Sequence, residues 1–583
     1  MSYLLAITIG PVQSYIEESR KLIDLYNSSK IISDIMKEVH RYVLKFNETA
    51  KLIYPNNNEE LNVDCSNYMI FEIDDIINFH NVEDEIYTKI DDENDYKKTI
   101  KETFYLFWEI EKIENNDYSS SYQNLTRMIR SLKNTYDFEQ VEQQSQKKCL
   151  ICGKRNIVTQ KLNLKTRRDY KLNDNEELCE VCLFKRTYKR NIEKNIESVY
   201  SIAIKNWKQF YKNELQELSR KLEEVFVDVD KYYNPNEINK LVSSSDINKA
   251  YKKIESDLKL EISNEVVNDI KDIIDTTYKK IQYPNYEYAF IQFDIDNLGC
   301  WIGGKYLKDK SNLKEYQKEI SQWLLKFSKE LNKVLKDKCK IIYSGGDDFL
   351  SILPVENIIE VVKIIDKEFK ISVEKKLKKY MTYEEKITYS TSITIISCKD
   401  SMSYALNKTR KELNNVKNRY KNKEMTKNGI AISYIVNNGK EITCYMEKED
   451  LETYLCLIDN QVKVKSSLSF SYINNFQNEF KIFNFNDIKF EEMSSLSKVI
   501  KYEFKRIILR SRLEKVDGAT EEYIENLLQF IERMFIKNAI EISSNHIYVD
   551  FINIINILKI YKKLCFDNLR LLEYRKGINN NDI

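Results

Sequence analysis

The stretch Ser344-Gly345-Gly346-Asp347-Asp348-Phe349-Leu350 constrains this 583-residue chain more than any other. The apolar run Cys339-Lys340-Ile341-Ile342-Tyr343 enters it, and Phe349-Leu350-Ser351-Ile352-Leu353 leaves it. Two short β-prone runs joined by a Gly-Gly pair predict a hairpin, because glycine tolerates the positive φ that a tight turn demands. A plain turn has no need of two adjacent carboxylates at its tip.

A second signal lies upstream. Tyr288-Ala289-Phe290-Ile291-Gln292-Phe293 is an apolar strand that ends in Asp294-Ile295-Asp296-Asn297. Between the two, Tyr316, Ile320, Trp323, Leu324, Phe327, Leu331, Val334 and Leu335 keep the spacing of one helix face. Strand, helix and hairpin predict a crossover, with the first strand beside the strand that precedes the hairpin. Asp294 then comes within reach of Asp347 and Asp348. Hard oxygen ligands grouped this way suit magnesium or manganese, which take one or two carboxylates plus substrate phosphates. The glycines would let a triphosphate approach the backbone. The chemistry served is phosphoryl or nucleotidyl transfer.

Past the hairpin, the runs at 358–369, 387–397, 405–417 and 430–434 read as helix, strand, helix and strand. The order from 286 to 436 is then β-α-β-β-α-β-α-β, and its first six elements are the ferredoxin-like split unit of polymerase palms and nucleotide cyclases. The fold class is α/β (α+β).

The chain is too long for one core. Residues 1–148 open with a strand at Met1–Ile9, the turn Gly10-Pro11-Val12-Gln13 and one helix through Ile16, Leu22, Ile31 and Met36, with further strands at 68–73 and 105–110. Residues 149–190 hold Cys149-x-x-Cys152 and Cys179-x-x-Cys182. Two such knuckles complete a tetrahedral structural zinc site with no open position. Two separate redox pairs are the competing explanation, which a Lys-rich module disfavours. Residues 191–283 are helical in period, residues 284–440 carry the Gly-Gly-Asp-Asp, and residues 441–583 read as helical throughout, a docking surface or a plain core. The basic run Lys165-Thr166-Arg167-Arg168 reads as solvated surface, with nucleic acid as the other reading.

Lys+Arg 92 against Asp+Glu 91 leaves a net charge of +1, so no global field draws nucleic acid. Eleven cysteines with no signal sequence argue for a reducing cytoplasm. No apolar run approaches the roughly 18 residues of a membrane span.

The motifs together resemble the large subunit of type III CRISPR effector complexes, the Cas-ten family, and within it the III-B (Cmr complex) branch. The residues that carry the resemblance are Ile9-Gly10-Pro11-Val12-Gln13-x-x-Ile16 with Arg20-Lys21, Asp24-Leu25-Tyr26 and Ser29, the four cysteines, Asp294-Ile295-Asp296-Asn297-Leu298-Gly299, and the Gly-Gly-Asp-Asp hairpin. The resemblance implies two ferredoxin-like palm domains facing one another, the first degenerate, with other effector subunits, guide RNA and target RNA as partners. It implies ATP as substrate and adenylate second messengers as product. By position, Asp294, Asp347 and Asp348 would hold magnesium or manganese and catalyse. Ile295, Asp296, Gly345, Gly346, Ser390 and Lys417 would contact the nucleotide, and Gly10 and Gln13 would face the same cleft from the first palm.

Three positions depart from the family pattern. Ile295 and Ser392 stand where many members have glycine, which would narrow the cleft, and Ser28 stands where the N-terminal pattern has glycine. The three histidines, His40, His80 and His546, form no His-Asp pair, so the expectation is a chain without the family's nuclease domain and without DNA cleavage. The expected output is cyclic oligoadenylate, made by 3′–5′ adenylyl transfer. The alternatives are an adenylate conjugate of S-adenosylmethionine at the same site and a nucleotide-binding scaffold without catalysis. Arg20 or Lys21 would serve an acceptor triphosphate, which tilts the expectation toward ATP.

Overall fold

The computed structural model describes all residues other than 1, 56–65, 78–81, 92–95, 116, 136–146, 171, 173–174, 189–196, 228–267, 270–271, 278–280, 282–283, 285, 381–385, 421–426, 437–438, 462–463, 465–467, 470, 481–492, 514–517, 542–552, 554 and 561–583. Its first sheet is built from β1 (Tyr3–Gly10), β2 (Lys51–Tyr54), β3 (Tyr68–Ile73) and β4 (Tyr105–Lys112) in the order β2-β3-β1-β4. Helices α1 (Gln13–Glu17) and α2 (Leu22–Phe46) connect β1 to β2, and α3 (Val82–Ile90) and α4 (Lys97–Thr103) connect β3 to β4. The helix α5 (Tyr118–Asn134) follows. The expected single N-terminal helix is in fact two, because the backbone leaves helical geometry at Glu18 and the α2 N-terminus is re-capped by Asp24, which accepts from the Lys21 amide.

The second sheet has the order β10-β9-β8-β5-β7-β6, from β5 (Glu287–Ile295), β6 (Lys340–Ser344), β7 (Asp348–Pro354), β8 (Tyr389–Ser397), β9 (Gly429–Ile435) and β10 (Glu441–Glu447). Its connections are α7 (Leu313–Leu335), α8 (Ile358–Phe369) and α9 (Met402–Arg419), with α6 (Glu180–Thr187) lying earlier, in the cysteine region. Numbering the strands within each βαββαβ unit, both sheets read fourth, first, third, second. This is the ferredoxin-like arrangement twice over.

Two expectations need correction. β5 does not lie beside the strand before the hairpin. It pairs antiparallel with β7, the strand after it, and β6 is left at the edge, because in a split unit the second strand leaves the slot next to the first for the third. Residues 441–447 are not helical either: Cys444 and Met446 bury one face of a sixth strand against the core. Helices then run through Lys448–Gln461, Ser471–Phe480, Met493–Arg510 and Gly518–Glu541, with Ile524, Leu527, Leu528 and Ile531 buried as their spacing predicts. No helix among the described residues is long and apolar enough to cross a membrane.

The period-2 alternation of β1 and β5 decides the architecture. Leu4 and Ala6 of β1, with Ala289, Ile291, Phe293 and Ile295 of β5, enter one hydrophobic core that includes Leu313, Ile320 and Leu324 of α7. Leu5, Ile7 and Ile9, with Tyr288 and Phe290, enter a second core with α2 and the start of α9. Each sheet is therefore covered on both faces, and each core draws on both sheets.

Candidate active site and metal centre

The carboxylates meet because of strand register. Asp294 on β5 pairs directly with Asp348 on β7 and with Ser390 on β8. Asp347, at the tip, accepts from the Ile295 amide through its backbone carbonyl at 3.0 Å, which ties the turn to the end of β5. Burial pushes all three carboxyls up, Asp347 to about 6; repulsion by Asp294 adds to it at Asp347 and Asp348, and repulsion by Asp296 adds to it at Asp294. Lys417 of α9 opposes this at Asp294, with which it forms an ion pair.

The glycines serve the protein's own packing. A Cβ on Gly345 would stand 2.8 Å from Asp348 Oδ1 and 3.3 Å from Asp347 Oδ1, so both carboxylates fold back over this residue. Gly346 has φ +91° and would press a Cβ to 3.1 Å from the Leu324 carbonyl of α7. Gly346→Ala is expected to destabilise the chain by about 1–2 kcal/mol from backbone geometry alone, read from the midpoint of chemical denaturation. An unchanged midpoint would show that the turn relaxes.

Other expected contacts fall differently. Ile295 is 2% exposed and points into the core opposite Asp294, as alternation along β5 requires, so its side chain neither meets a nucleotide nor narrows the cleft. Asp296 is 1% exposed and accepts from Ser390 Oγ at 2.8 Å, Thr388 Oγ1 at 2.9 Å and the Asn428 amide at 3.0 Å. Asp296 and Ser390 thus brace the strand ends beneath the site. Ser392 is fully buried opposite Gln292. Asp296→Ala strands three donors, and the expected cost is about 2–4 kcal/mol in thermal or chemical unfolding. A cost below about 0.5 kcal/mol would place Asp296 in solvent contact instead.

The first domain reaches this site through its N-terminal turn. Gln13 offers its backbone carbonyl to Arg410 of α9 at 2.9 Å, while its side chain is exposed. A Cβ on Gly10 would stand 3.4 Å from the Phe107 ring. Lys21 is committed to the buried Glu176 at 2.7 Å, so it is not a free cation for an acceptor phosphate. Sequence reasoning passed over Arg410. The signal was the seven-residue spacing of Ser403, Arg410 and Lys417, which places all three on one helix face.

Oxygen donors alone, partly exposed and mutually repelling, fit a hard divalent cation. The four cysteines form a different kind of centre. Their sulfurs all lie within 4.8 Å of one another, and Cys152 Sγ to Cys179 Sγ is 3.8 Å. A tetrahedral zinc with bonds of about 2.3 Å needs sulfurs about 3.8 Å apart. Hydrogen bonds from the other three thiols, Cys149 foremost, hold the Cys152 thiol far below its ordinary range. Among the described residues this is the one group of metal-ligating side chains drawn so tightly to a point. The carboxylates are looser, with Lys417 standing against Asp294. The module packs against the first domain. Leu178, Val181, Leu183 and Phe184 share the core of the first domain, and Arg186 of α6, fully buried, binds Asp24 and Glu176. In the basic run, Arg167 donates to the carbonyls of Thr159 and Glu176, a role inside the module.

Residues 287–431 match the family model described as Cas10/Cmr2, second palm domain, and residues 4–133 match that of CRISPR-associated protein Cmr2, N-terminal. These two stretches carry the chain's likeness to Cas10/Cmr2 proteins. The CRISPR system Cmr subunit Cmr2 of Pyrococcus furiosus is 32% identical over 320 residues, 48% of this chain. The match spans only 34% of that relative's length. By fold, the chain is similar to a protein in the type III-B Cmr-beta structure bound to cognate target RNA, with a TM-score of 0.58 at 12% identity, covering 97% of this chain and 83% of that one. It is similar also to a chain of the apo Cmr-beta structure, with a TM-score of 0.55 at 13% identity, covering 90% and 78%.

Proposed function

We propose that this chain is the large subunit of a cytoplasmic type III-B effector complex, assembled with the other subunits, guide RNA and target RNA. Its second palm converts ATP to cyclic oligoadenylate by 3′–5′ adenylyl transfer when target RNA is bound. The observation that carries this reading is the direct register of Asp294 with Asp348, with Asp347 beside them on a turn that only glycine permits.

Asp294, Asp347 and Asp348 would hold magnesium or manganese, which neutralises charge at the α-phosphate and eases deprotonation of a ribose hydroxyl. The chain's own part is to orient. The Gly345–Gly346 turn leaves the room in which both carboxylates lie together. Asp296 and Ser390 fix the ends of β5 and β8, and Lys417 is placed to exchange Asp294 for a phosphate oxygen. The four-cysteine module holds a structural zinc and takes no part in the chemistry.

Gly345→Ala should lower ATP conversion more than about tenfold, since a misplacement of about 1 Å can cost far more than that, while the melting temperature stays near that of the parent. The test of the function is incubation of the assembled complex with ATP, magnesium and target RNA, followed by mass analysis. Cyclic adenylates from ATP alone support the reading. ATP left unconverted, or product appearing only when S-adenosylmethionine is added, overturns it.

A further inference from the structure

The short helix α1 and the residues just past it are held from two sides. On one side stands the cysteine module, where Lys154 and Arg155 follow directly on Cys152-Gly153 and converge on a single acid. Lys154 Nζ donates to Glu18 Oε1 at 2.9 Å and Arg155 Nη1 to Glu18 Oε2 at 2.7 Å. Lys185 of α6 donates to the carbonyls of Tyr15 and Glu18, the second at 3.0 Å. The Glu18 side chain is only 10% exposed, so salt screens these bonds little.

On the other side, α9 grips the same segment. Arg410 Nη1 donates to the Gln13 carbonyl at 2.9 Å and to Glu17 Oε1 at 2.5 Å, and Ser403 Oγ donates to the Ser19 carbonyl. Ser403, Arg410 and Lys417 recur every seven residues and so share one face of α9. Lys417 ends that row in its ion pair with Asp294. Every link from Glu18 to Asp294 is thus a bonded neighbour, a hydrogen bond, an ion pair or the rod of a helix. A five-residue helix is unstable by itself in water. α1 therefore keeps its place through these contacts and through the burial of Tyr15 and Ile16. Where Glu18 lets go, α1 shifts on that side, and Arg410 passes the shift to α9.

We propose that Glu18 is a positioning residue for the palm site: it fastens α1 to the cysteine module, so that the module sets where α9 holds Lys417 against Asp294. This rests on the reading of Asp294 as one of the cation-holding carboxylates. The module's part is placement alone, in keeping with four sulfurs that leave no open position on a zinc ion.

The test replaces Glu18 by Gln, which keeps the size and one acceptor oxygen but removes the charge. Zinc content and melting temperature of the full chain should stay at the parent's values. Hydrogen exchange across α9 should quicken about threefold or more through local opening. In the assembled complex, kcat should fall about three- to tenfold with KM for ATP little changed. Lys154→Ala with Arg155→Ala should do the same from the module side. The three changes together should cost no more than either set, because they break one clamp. Unchanged exchange across α9 or an unchanged kcat in Glu18→Gln overturns the proposal, as do effects of the two sets that multiply. Loss of zinc in Glu18→Gln also overturns it, since the clamp would then be a folding contact. If the parent complex converts no ATP, the functional reading fails by itself, and the exchange of α9 still decides whether Glu18 acts on that helix.

Discussion

Asp347→Ala combined with Asp348→Ala is expected to remove ATP conversion by about three orders of magnitude or more while the complex still assembles. Metal-assisted charge stabilisation at a transferring phosphoryl group contributes several kcal/mol, and each 1.36 kcal/mol is a factor of ten. The double substitution should not weaken the fold. Burial and mutual repulsion push both carboxyls up, so the folded chain gives up free energy to keep them charged, and alanine relieves that cost. The melting temperature should therefore equal or exceed the parent's. Retained product would remove the catalytic assignment, and a fall of several degrees would show the carboxylates to be structural.

The second large effect concerns Cys182, which is fully buried. Cys182→Ala should reduce bound zinc from one per chain to near none and unfold more than residues 149–190. Apparent binding free energies for structural zinc run to about 10–16 kcal/mol, and here that energy would anchor packing shared with β1 and α2. Losing the module also strips the buried Asp24 of Arg186, and breaking a buried pair costs about 3–5 kcal/mol. Hydrogen exchange should show lost protection through α2 as well as the knuckles. Full zinc content, or loss of protection confined to 149–190, would contradict this account.

The second palm was legible because its strands are short apolar runs with clear breaks and its carboxylates stand at strand ends, where one-dimensional spacing maps onto register. Asp294, Asp347 and Asp348 come together as their order predicts. A motif written as consecutive letters hides that alternate strand residues face opposite ways, which turns Ile295 into the core, while Asp296, just past β5, is taken up by Ser390, Thr388 and the Asn428 amide. β10 was missed because Glu441-Ile442-Thr443-Cys444 has a half-exposed outer face and no apolar run to announce it. Arg410 could not be found from composition, since its partners are a backbone carbonyl nearly 400 residues away and an acid on another domain. The same holds for Lys21, whose commitment to Glu176 arises only when the cysteine module folds onto α2.

The sharing of both hydrophobic cores by both sheets has a consequence for the order in which the protein is made. Leu4, Ala6 and Ile70 of the first sheet are covered by residues that include Leu313 and Ile320 of α7. At about 5–20 residues per second, those residues leave the ribosome roughly ten to forty seconds after the last strand of the first sheet. During that interval α5 alone covers this face of the completed four-stranded sheet, through Tyr122, Leu125 and Ile129. A nascent chain stalled between residues 135 and 300 should therefore bind holdase chaperones, and one stalled beyond residue 450 should release them.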